Sequence, residues 1–97
     1  MLLINKGVSV GDVVTIKLVS GEEIIGKVEK ETEQSYFISR PMSLRPDPQG
    51  LGMTPFLYTV HPNSTVPINI KSVMVYMVAD KEMSDSYLEG VSGIKLV

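Results

Sequence analysis

The chain has 97 residues, which is enough for one domain and too few for two. Apolar residues make up 43% and charged residues 21%, so the chain is neither disordered nor fibrous. The absence of cysteine excludes disulfide frameworks, thiolate metal sites and cysteine nucleophiles. The longest apolar run, residues 73–79, is far shorter than the roughly 18 residues of a membrane span, and the start of the chain lacks the features of a secretory signal. We expect a soluble, cytoplasmic protein with no membrane partner.

Charge is distributed unevenly along the chain. Residues 1–33 carry four basic and six acidic side chains (net −2), and residues 80–97 carry two and four (net −2). Residues 34–79 carry three basic side chains and one acidic side chain (net +2). An anionic partner would therefore meet the middle of the chain, although sparse charge is also typical of a buried region. The overall charge of −2 does not indicate a protein that coats duplex DNA.

Two strands joined by a tight turn are predicted near the start of the chain. The second half of residues 12–18 alternates apolar and polar side chains, as a half-buried strand does. Gly21 can take the positive φ that a tight turn needs, and residues 23–30 then form the return strand. A glycine inside a strand marks a bend or a close backbone approach, so we expect the sheet to curve at Gly26.

The middle of the chain predicts further strands separated by proline and glycine. Residues rich in β-branched and aromatic side chains predict strands in four places: 36–39, 56–60, 66–70 and 73–78. Pro41 cannot donate a ladder hydrogen bond, so the first of these strands must have an edge or a bulge there. Residues 47–52 are a loop of turn formers, and Lys71 and Ser72 form the turn or bend between the last two strands.

The character of the sequence changes at Asp80, which is a suitable helix N-cap. Gly90 suits the C-terminal end of a short helix. Three apolar residues share one face of that helix: Met83, Tyr87 and Leu88. Residues 93–97 alternate weakly and form either a sixth strand or a loose end.

These elements predict one all-β domain over residues 1–97, with a core at about 10–79 and the helix and tail at 80–97. The predicted strand at 73–78 contains no charge, proline or glycine that would protect an exposed edge. Such a segment lies either in the centre of its sheet or against another chain. Oligomerisation is therefore a serious possibility.

The side chains that enzymes use are scarce. The only histidine, His61, precedes a proline in a turn-like segment, where contact with solvent is a better interpretation than general-base catalysis. Five glutamates are crowded between residues 22 and 33 without the spacing of a calcium site, so they indicate a solvated face. No phosphate-binding glycine motif is present. We expect no enzyme, no metal site and no cofactor.

One stretch resembles the first motif of the Sm/LSm/Hfq superfamily: Val14-x-Ile16-x-Leu18-x-x-Gly21-x-x-x-x-Gly26-x-Val28. The resemblance implies a small, strongly bent, five-stranded SH3-like or Sm-like barrel, followed here by the short C-terminal helix. In that family the first glycine turns the hairpin and the second lets a long strand bend, which are the roles expected of Gly21 and Gly26. Departures elsewhere in the chain resemble the small Sm-like proteins of phages, cyanophages in particular, whose setting would be the host cytoplasm.

The resemblance also implies a ring of identical subunits. Sm-like proteins pair strand 4 of one subunit with strand 5 of the next, in rings of about five to seven copies. On this chain the corresponding segments are 56–60 and 73–78. The interface residues that this implies are Phe56, Tyr58, Val73, Met74, Val75, Tyr76 and Met77.

Family members bind single-stranded RNA at two loops, which correspond here to residues 32–36 and 70–73. An aromatic residue at such a loop stacks on a base, and a basic residue attracts the backbone. The resemblance gives these roles to Tyr36 and Lys71. Supporting contacts with single-stranded RNA or DNA are expected from four further residues: Ser35, Ser72, Arg40 and Arg45.

Two other interpretations stay open. Tyr36 can instead be a core or interface aromatic, and Arg40 and Arg45 can serve only to keep a strand soluble. The protein would then be an SH3-like structural or adaptor subunit, for instance of a viral particle, with protein contacts only. A barrel that binds a small molecule is a third class, and it would need a concave apolar pocket.

Overall fold

Six β-strands, one 3-10 turn and one α-helix make up residues 7–92, the part of the chain that the computed structural model describes. The strands are β1 (Val13–Leu18), β2 (Glu23–Glu31), β3 (Ser35–Asp47), β4 (Gly50–Pro55), β5 (Thr65–Asn69) and β6 (Val73–Val78). The 3-10 turn, Ile70–Ser72, joins β5 to β6, and the helix α1 (Lys81–Ser92) follows β6. The predicted all-β class with one short C-terminal helix is confirmed. The expected strand or loose end at 93–97 lies outside the described residues.

The sheet curls on itself into a small barrel-like form. The strand order is β4-β3-β2-β1-β6, β5 also pairs with β3, and all pairs are antiparallel. In a flat sheet β5 and β6 would be about 19 Å apart, which is four spacings of about 4.8 Å. The 3-10 turn between them has three residues and spans only about 6 Å. The sheet must therefore bend until its two ends meet.

Successive side chains of each strand point to opposite faces of the sheet, and this produces two hydrophobic clusters, one on each face. Val14 and Ile24 belong to the inner cluster, whereas their chain neighbours Val13 and Ile25 belong to the outer one. The inner cluster fills the space enclosed by the curled sheet and includes residues of β1, β2, β3 and β5. The outer cluster lies under the helix. Burial of both faces makes this small sheet a two-layer structure.

Gly26 lies where β3 bulges, as the sequence predicts. Two residues of β3, Arg40 and Pro41, lie opposite Gly26 alone, and Arg40 has a φ of 49°. A Cβ atom on Gly26 would overlap the side chain of Ile38 and lie 3.2 Å from the carbonyl oxygen of Ser39. The close approach of β3 therefore requires glycine at this position. Gly21 likewise has the positive φ expected of the hairpin turn, 97°.

β4 and β5 are two halves of one interrupted strand. The N–H of Phe56 donates to the carbonyl of Pro41, and the N–H of Arg40 donates to the carbonyl of Ser64, each at 3.0 Å. Because Arg40 and Pro41 are adjacent in β3, the intervening residues 57–63 leave the sheet and return to almost the same place. We call residues 57–63 the excursion loop. The sheet has six strands rather than the expected five because this loop divides the fourth.

The excursion loop corrects two predictions about the middle of the chain. Residues 56–60 are not a strand, because Pro41 of β3 has no N–H with which to hold a strand at that point. Residues 47–52 are not one loop either. Only Pro48 and Gln49 form the turn, and the rest of that segment belongs to β3 or β4. The predicted bulge at Pro41 and the turn at Lys71 are confirmed.

The helix α1 covers the outer face of the sheet. Its side chains Tyr87 and Val91 are buried, and the Tyr87 hydroxyl donates to the carbonyl oxygens of the β3 bulge, at 2.8 Å from Ser39 and 3.0 Å from Arg40. Asp80 acts as the predicted cap, because its carboxylate accepts the N–H of Glu82 at 3.2 Å. Within residues 7–92 there is no helix long and apolar enough to cross a lipid bilayer.

Two predictions for α1 need correction. The helix continues past Gly90 to Ser92, because residues beyond the glycine still pack on the sheet through Val91. Leu88, predicted on the buried face, is 43% exposed, and Val91 takes its place four residues after Tyr87.

Candidate nucleic-acid interface

The structure brings together the two loops that were predicted to bind nucleic acid. The N–H of Ile70 donates to the carbonyl of Gln34 at 2.9 Å, and Ser35 lies opposite Asn69 where β3 and β5 pair. The segment before β3 is held by Thr32, whose hydroxyl accepts the N–H of Ser35 at 3.0 Å. Residues 32–35 and 69–72 therefore form one surface at the end of the β3–β5 pair.

Lys71 is the exposed cation of this surface. Its own N–H donates to the side-chain oxygen of Asn69 at 2.8 Å, which fixes the backbone of the 3-10 turn. A shallow, open depression of about 280 Å³ lies beside it, lined by Glu33, Gln34, Asn69, Ile70 and Lys71. The depression thus offers two amide side chains and one cation, with one carboxylate at its border.

Tyr36 is not a freely exposed ring. It is half-buried against the inner cluster, and its ring stacks on that of Tyr76 with a centroid separation of 3.7 Å and an angle of 8°. One face of Tyr36 is thereby covered by a residue of the same chain. The interpretation of Tyr36 as a core aromatic gains support from this contact, and at most one face remains for a base.

Tyr76 ties β6 to the far end of β2. Its hydroxyl donates to the carboxylate of Glu31 at 2.6 Å, and Glu31 lies opposite Tyr36 where β2 and β3 pair. Burial, together with the hydrogen bond to Glu31 and the charge of that carboxylate, raises the pKa of Tyr76 well above its usual value of 10.0. The Tyr76 hydroxyl therefore stays neutral and donates its hydrogen bond to Glu31 at any physiological pH.

The other predicted nucleic-acid residues do not all reach this surface. Ser72 is close by, but it is half-buried and its carbonyl accepts the N–H of Val19 at 2.8 Å. Arg40 lies at the bulge, about 16 Å along β3 from Ser35, and Arg45 lies about 33 Å along it, at about 3.3 Å per residue. Arg40 and Arg45 are therefore separated from Lys71.

Sequence reasoning missed two polar residues of the surface, Gln34 and Asn69. Asn69 precedes the 3-10 turn, where a side-chain oxygen caps the first free N–H groups, and this preference of asparagine for cap positions was available as a signal. Gln34 has no comparable signal, because its position depends on the pairing of β3 with β5.

The outer edge of β6 is open among the described residues. The N–H of Ala79 donates to the carbonyl of Val13 at 2.9 Å, and the same register places Val78 opposite Val14 and Tyr76 opposite Ile16. Hydrogen-bonded and non-bonded pairs alternate in an antiparallel ladder, so the backbone groups of Tyr76 and Val78 point away from β1. No other described strand pairs with them.

The side chains along this edge are apolar and exposed: Met74, Val75, Met77 and Val78. The absence of a charge or proline in β6, noted from the sequence, therefore coincides with an edge that is open in the described part of the structure.

The outer edge of β5 is protected by proline. The bonds at Ser64 and Ile70 set the alternation in β5, so the backbone groups of Thr65, Pro67 and Asn69 point away from β3. Pro67 therefore removes no hydrogen bond between β3 and β5, but it does remove one N–H donor from the open edge. An open groove of about 330 Å³ runs beside this edge, lined by Leu18, Phe56, Leu57, Val66, Pro67, Ile68, Asn69 and Ser72.

The described residues contain little that resembles a catalytic or metal centre. They include no group of three His, Asp or Glu side chains that could hold a metal ion. The Nδ1 atom of His61 accepts the backbone N–H of Asn63 at 3.0 Å, which uses that nitrogen locally. The apolar hollow between Pro41 and the excursion loop has a volume of about 30 Å³, enough for about one water molecule. A small-molecule ligand would not fit there.

Comparison with models of known protein families and with curated protein sequences finds no match to this chain.

Proposed function

We propose that the protein is a non-enzymatic, Sm-like subunit of a homo-oligomeric ring of about five to seven copies that binds single-stranded RNA or DNA. The observation that carries the proposal is the joining of loop 32–35 to the 3-10 turn, in which Lys71 is exposed. The proposed setting is the cytoplasm, which is that of the host cell if a phage encodes the protein.

The polar surface at Lys71 has the groups that a nucleic-acid strand needs. The lysine attracts phosphate, the amide of Gln34 offers donors and an acceptor to base edges, and the NH₂ group of Asn69, whose oxygen caps the 3-10 turn, offers donors. One lysine is a weak contact, but a ring repeats it once per subunit. The summed attraction then becomes considerable, because each phosphate contact adds to the affinity.

The open edges of β5 and β6 support the proposed ring. The apolar edge of β6 in one copy can enter the groove beside β5 of the next, which carries Phe56, Val66 and Ile68. Such a contact joins unlike surfaces, which is the head-to-tail kind of contact from which a ring is built when the rotation between copies closes. Pro67 leaves one carbonyl of the incoming strand without a donor, at a cost of about 1 kcal/mol per subunit contact. The predicted roles of Val73, Met74, Val75, Tyr76 and Met77 are part of this proposal.

A structural or adaptor subunit is the second candidate. Glu33 lines the same depression as Lys71 and reduces its positive potential, which favours a partner that is not strongly anionic. In this case the β6 edge would still assemble the protein, but the Lys71 surface would contact another protein.

The test combines assembly with binding. Val78→Pro removes an outward-facing N–H from β6 without removing a bond to β1, and Val78→Thr keeps that N–H as the matched control. Sedimentation should show a ring for the native chain and for Val78→Thr, and a monomer for Val78→Pro. Far-UV circular dichroism checks that all three are folded.

Binding is then measured by fluorescence anisotropy with labelled U-rich, A-rich and mixed oligonucleotides at two salt concentrations. Lys71→Ala should weaken binding and make the negative slope of log K against log salt less steep by about 0.7 for each phosphate that the lysine neutralises in the native chain. A ring that binds none of the oligonucleotides at micromolar concentration would support the adaptor. A native chain that remains monomeric at every concentration would contradict the proposal as a whole.

A further inference from the structure

The depression beside Lys71 carries a carboxylate, that of Glu33, which contacts with phosphate alone do not explain. Both side chains are exposed and both line the depression. They form no ion pair with each other, and neither has an ion-pair partner elsewhere among residues 7–92. A carboxylate and a cation that stand apart on one small surface favour a ligand with donors on one side and acceptors on the other.

The turn that carries Glu33 is held by local hydrogen bonds. The N–H of Thr32 donates to the carbonyl of Ser35 at 2.9 Å. The Thr32 hydroxyl accepts the N–H groups of Gln34 at 3.2 Å and of Ser35 at 3.0 Å, so Glu33 and Gln34 are the central residues of a closed turn. The bond from the N–H of Ile70 to the carbonyl of Gln34 then fixes this turn against the 3-10 turn. Little backbone entropy would be lost when a ligand binds between the two turns.

The polar groups on the two turns differ in what they offer to a ligand. Asn69 uses its side-chain oxygen to accept the N–H of Lys71, so its NH₂ group is left for a ligand. The ammonium of Lys71 can only donate, and the carboxylate of Glu33 only accepts. Ile70, which is 36% exposed, adds an apolar surface. Donors therefore lie at the 3-10 turn, and a charged acceptor lies on the adjoining turn.

Guanine is the base whose edge matches this arrangement. It has two neighbouring donors, N1–H and the N2 amino group, which can both bond one carboxylate, and beside them the acceptors O6 and N7. Adenine and cytosine each have one amino group next to a ring-nitrogen acceptor, and uracil has one N–H between two acceptors. A carboxylate can therefore make two hydrogen bonds with the edge of guanine and only one with the edge of any other base.

We infer that the depression beside Lys71 recognises guanine in single-stranded nucleic acid. Glu33 accepts from N1–H and from the N2 amino group, and the donors of Lys71 and Asn69 bond O6 and N7. The inference rests on the proposed binding of single-stranded RNA or DNA and names its base preference. Glu33 is then compatible with an anionic partner, because hydrogen bonds to a charged acceptor are stronger than those between neutral groups.

The first experiment measures the affinity of the native chain for short labelled oligonucleotides, RNA and DNA, that are rich in uracil or thymine and differ in one central base. That base is guanine, adenine, cytosine or hypoxanthine, which is guanine without its N2 amino group. Fluorescence anisotropy should show that guanine raises the affinity about 5- to 150-fold over adenine. Hypoxanthine should bind about 2- to 12-fold more weakly than guanine, the loss expected for one hydrogen bond.

Glu33→Gln tests the residue, and Glu29→Gln is the matched control. Glu29 is an exposed glutamate of β2 that does not line the depression, so its replacement removes the same charge elsewhere. Glu33→Gln should bind the guanine and hypoxanthine oligonucleotides within about twofold of each other, because the contact that distinguishes them is lost. Glu29→Gln should keep the native preference. Circular dichroism and sedimentation check that both variants keep the native fold and oligomeric state.

The outcomes separate this inference from the proposed function. If the native chain binds all the oligonucleotides equally and Lys71→Ala weakens that binding, the guanine preference is wrong and the proposed function stands. If Glu33→Gln still prefers guanine to hypoxanthine, another residue contacts the N2 amino group and the inference is overturned. If the native chain binds no oligonucleotide, both are wrong.

Discussion

Replacement of Gly26 by alanine tests the tight approach of β2 to the bulge of β3. The new methyl group would overlap the side chain of Ile38, which is fully buried. It would also lie 3.2 Å from the carbonyl oxygen of Ser39 and 3.3 Å from Cα of Pro41, both backbone atoms. The β2–β3 ladder would have to shift to make room.

The size of the effect follows from two opposing terms. Overpacking of a filled core costs about 1–3 kcal/mol, and contact with backbone on two sides favours the upper value. Alanine offsets about 0.4–1 kcal/mol of this cost, because it has less conformational entropy than glycine in the unfolded chain. The free energy of unfolding of Gly26→Ala should therefore fall by about 2 kcal/mol. For a domain of this length that lowers Tm by about 8–16 °C.

Urea unfolding followed by circular dichroism measures this change. All variants are compared at one protein concentration, because any assembly of copies adds to the apparent stability. Gly90→Ala is the matched control: Gly90 lies on α1, nothing is within 4 Å of its added Cβ, and the helix should gain up to about 1 kcal/mol. A Gly26→Ala variant as stable as the native chain would refute the steric explanation of the bend.

Two further substitutions test individual polar groups. The Thr54 hydroxyl is buried without a hydrogen-bond partner among the described residues, so Thr54→Val should leave the thermal stability unchanged or raise it by up to about 1 kcal/mol. A variant that unfolds at a lower temperature than the native chain would show that the hydroxyl has a partner. Burial raises the pKa of Tyr87 to about 12 from 10.0, so the stability that its neutral hydroxyl contributes is present below pH 10 and lost as the pH rises through 12. Tyr87→Phe should lower stability by about 1–2 kcal/mol at pH 8 and show a smaller decline between pH 10 and 12 in urea titrations, and an unchanged decline would contradict this.

The first hairpin could be predicted because its information is local. Alternating side chains in β1 and β2 set the two faces, and Gly21 and Gly26 satisfy backbone requirements that other residues meet poorly. The segment 56–60 shows the limit of such reasoning. Its side chains are as β-prone as those of a strand, but it leaves the sheet because of Pro41, which is distant in sequence and adjacent in space.

The proposed nucleic-acid surface was likewise predictable only in part. The nearness of Ser35 and Lys71 follows from the order of strands, which the resemblance supplied. The covering of Tyr36 by Tyr76 does not, because it depends on how far the sheet curls before β3 and β6 meet. The exposure of Tyr58 could not be predicted either, because the strand expected at residues 56–60 would have packed every second side chain against its neighbours.

The division of the fourth strand has a consequence for how the protein can be altered. Each half is anchored to β3 by its own bonds, so the register on either side does not depend on the number of residues between Phe56 and Ser64. Lengthening such a connection costs only about 0.6 kcal/mol for each doubling. A foreign epitope, or a whole guest domain with neighbouring termini, could be grafted at this point and displayed by each copy of the chain while the host scaffold keeps its shape.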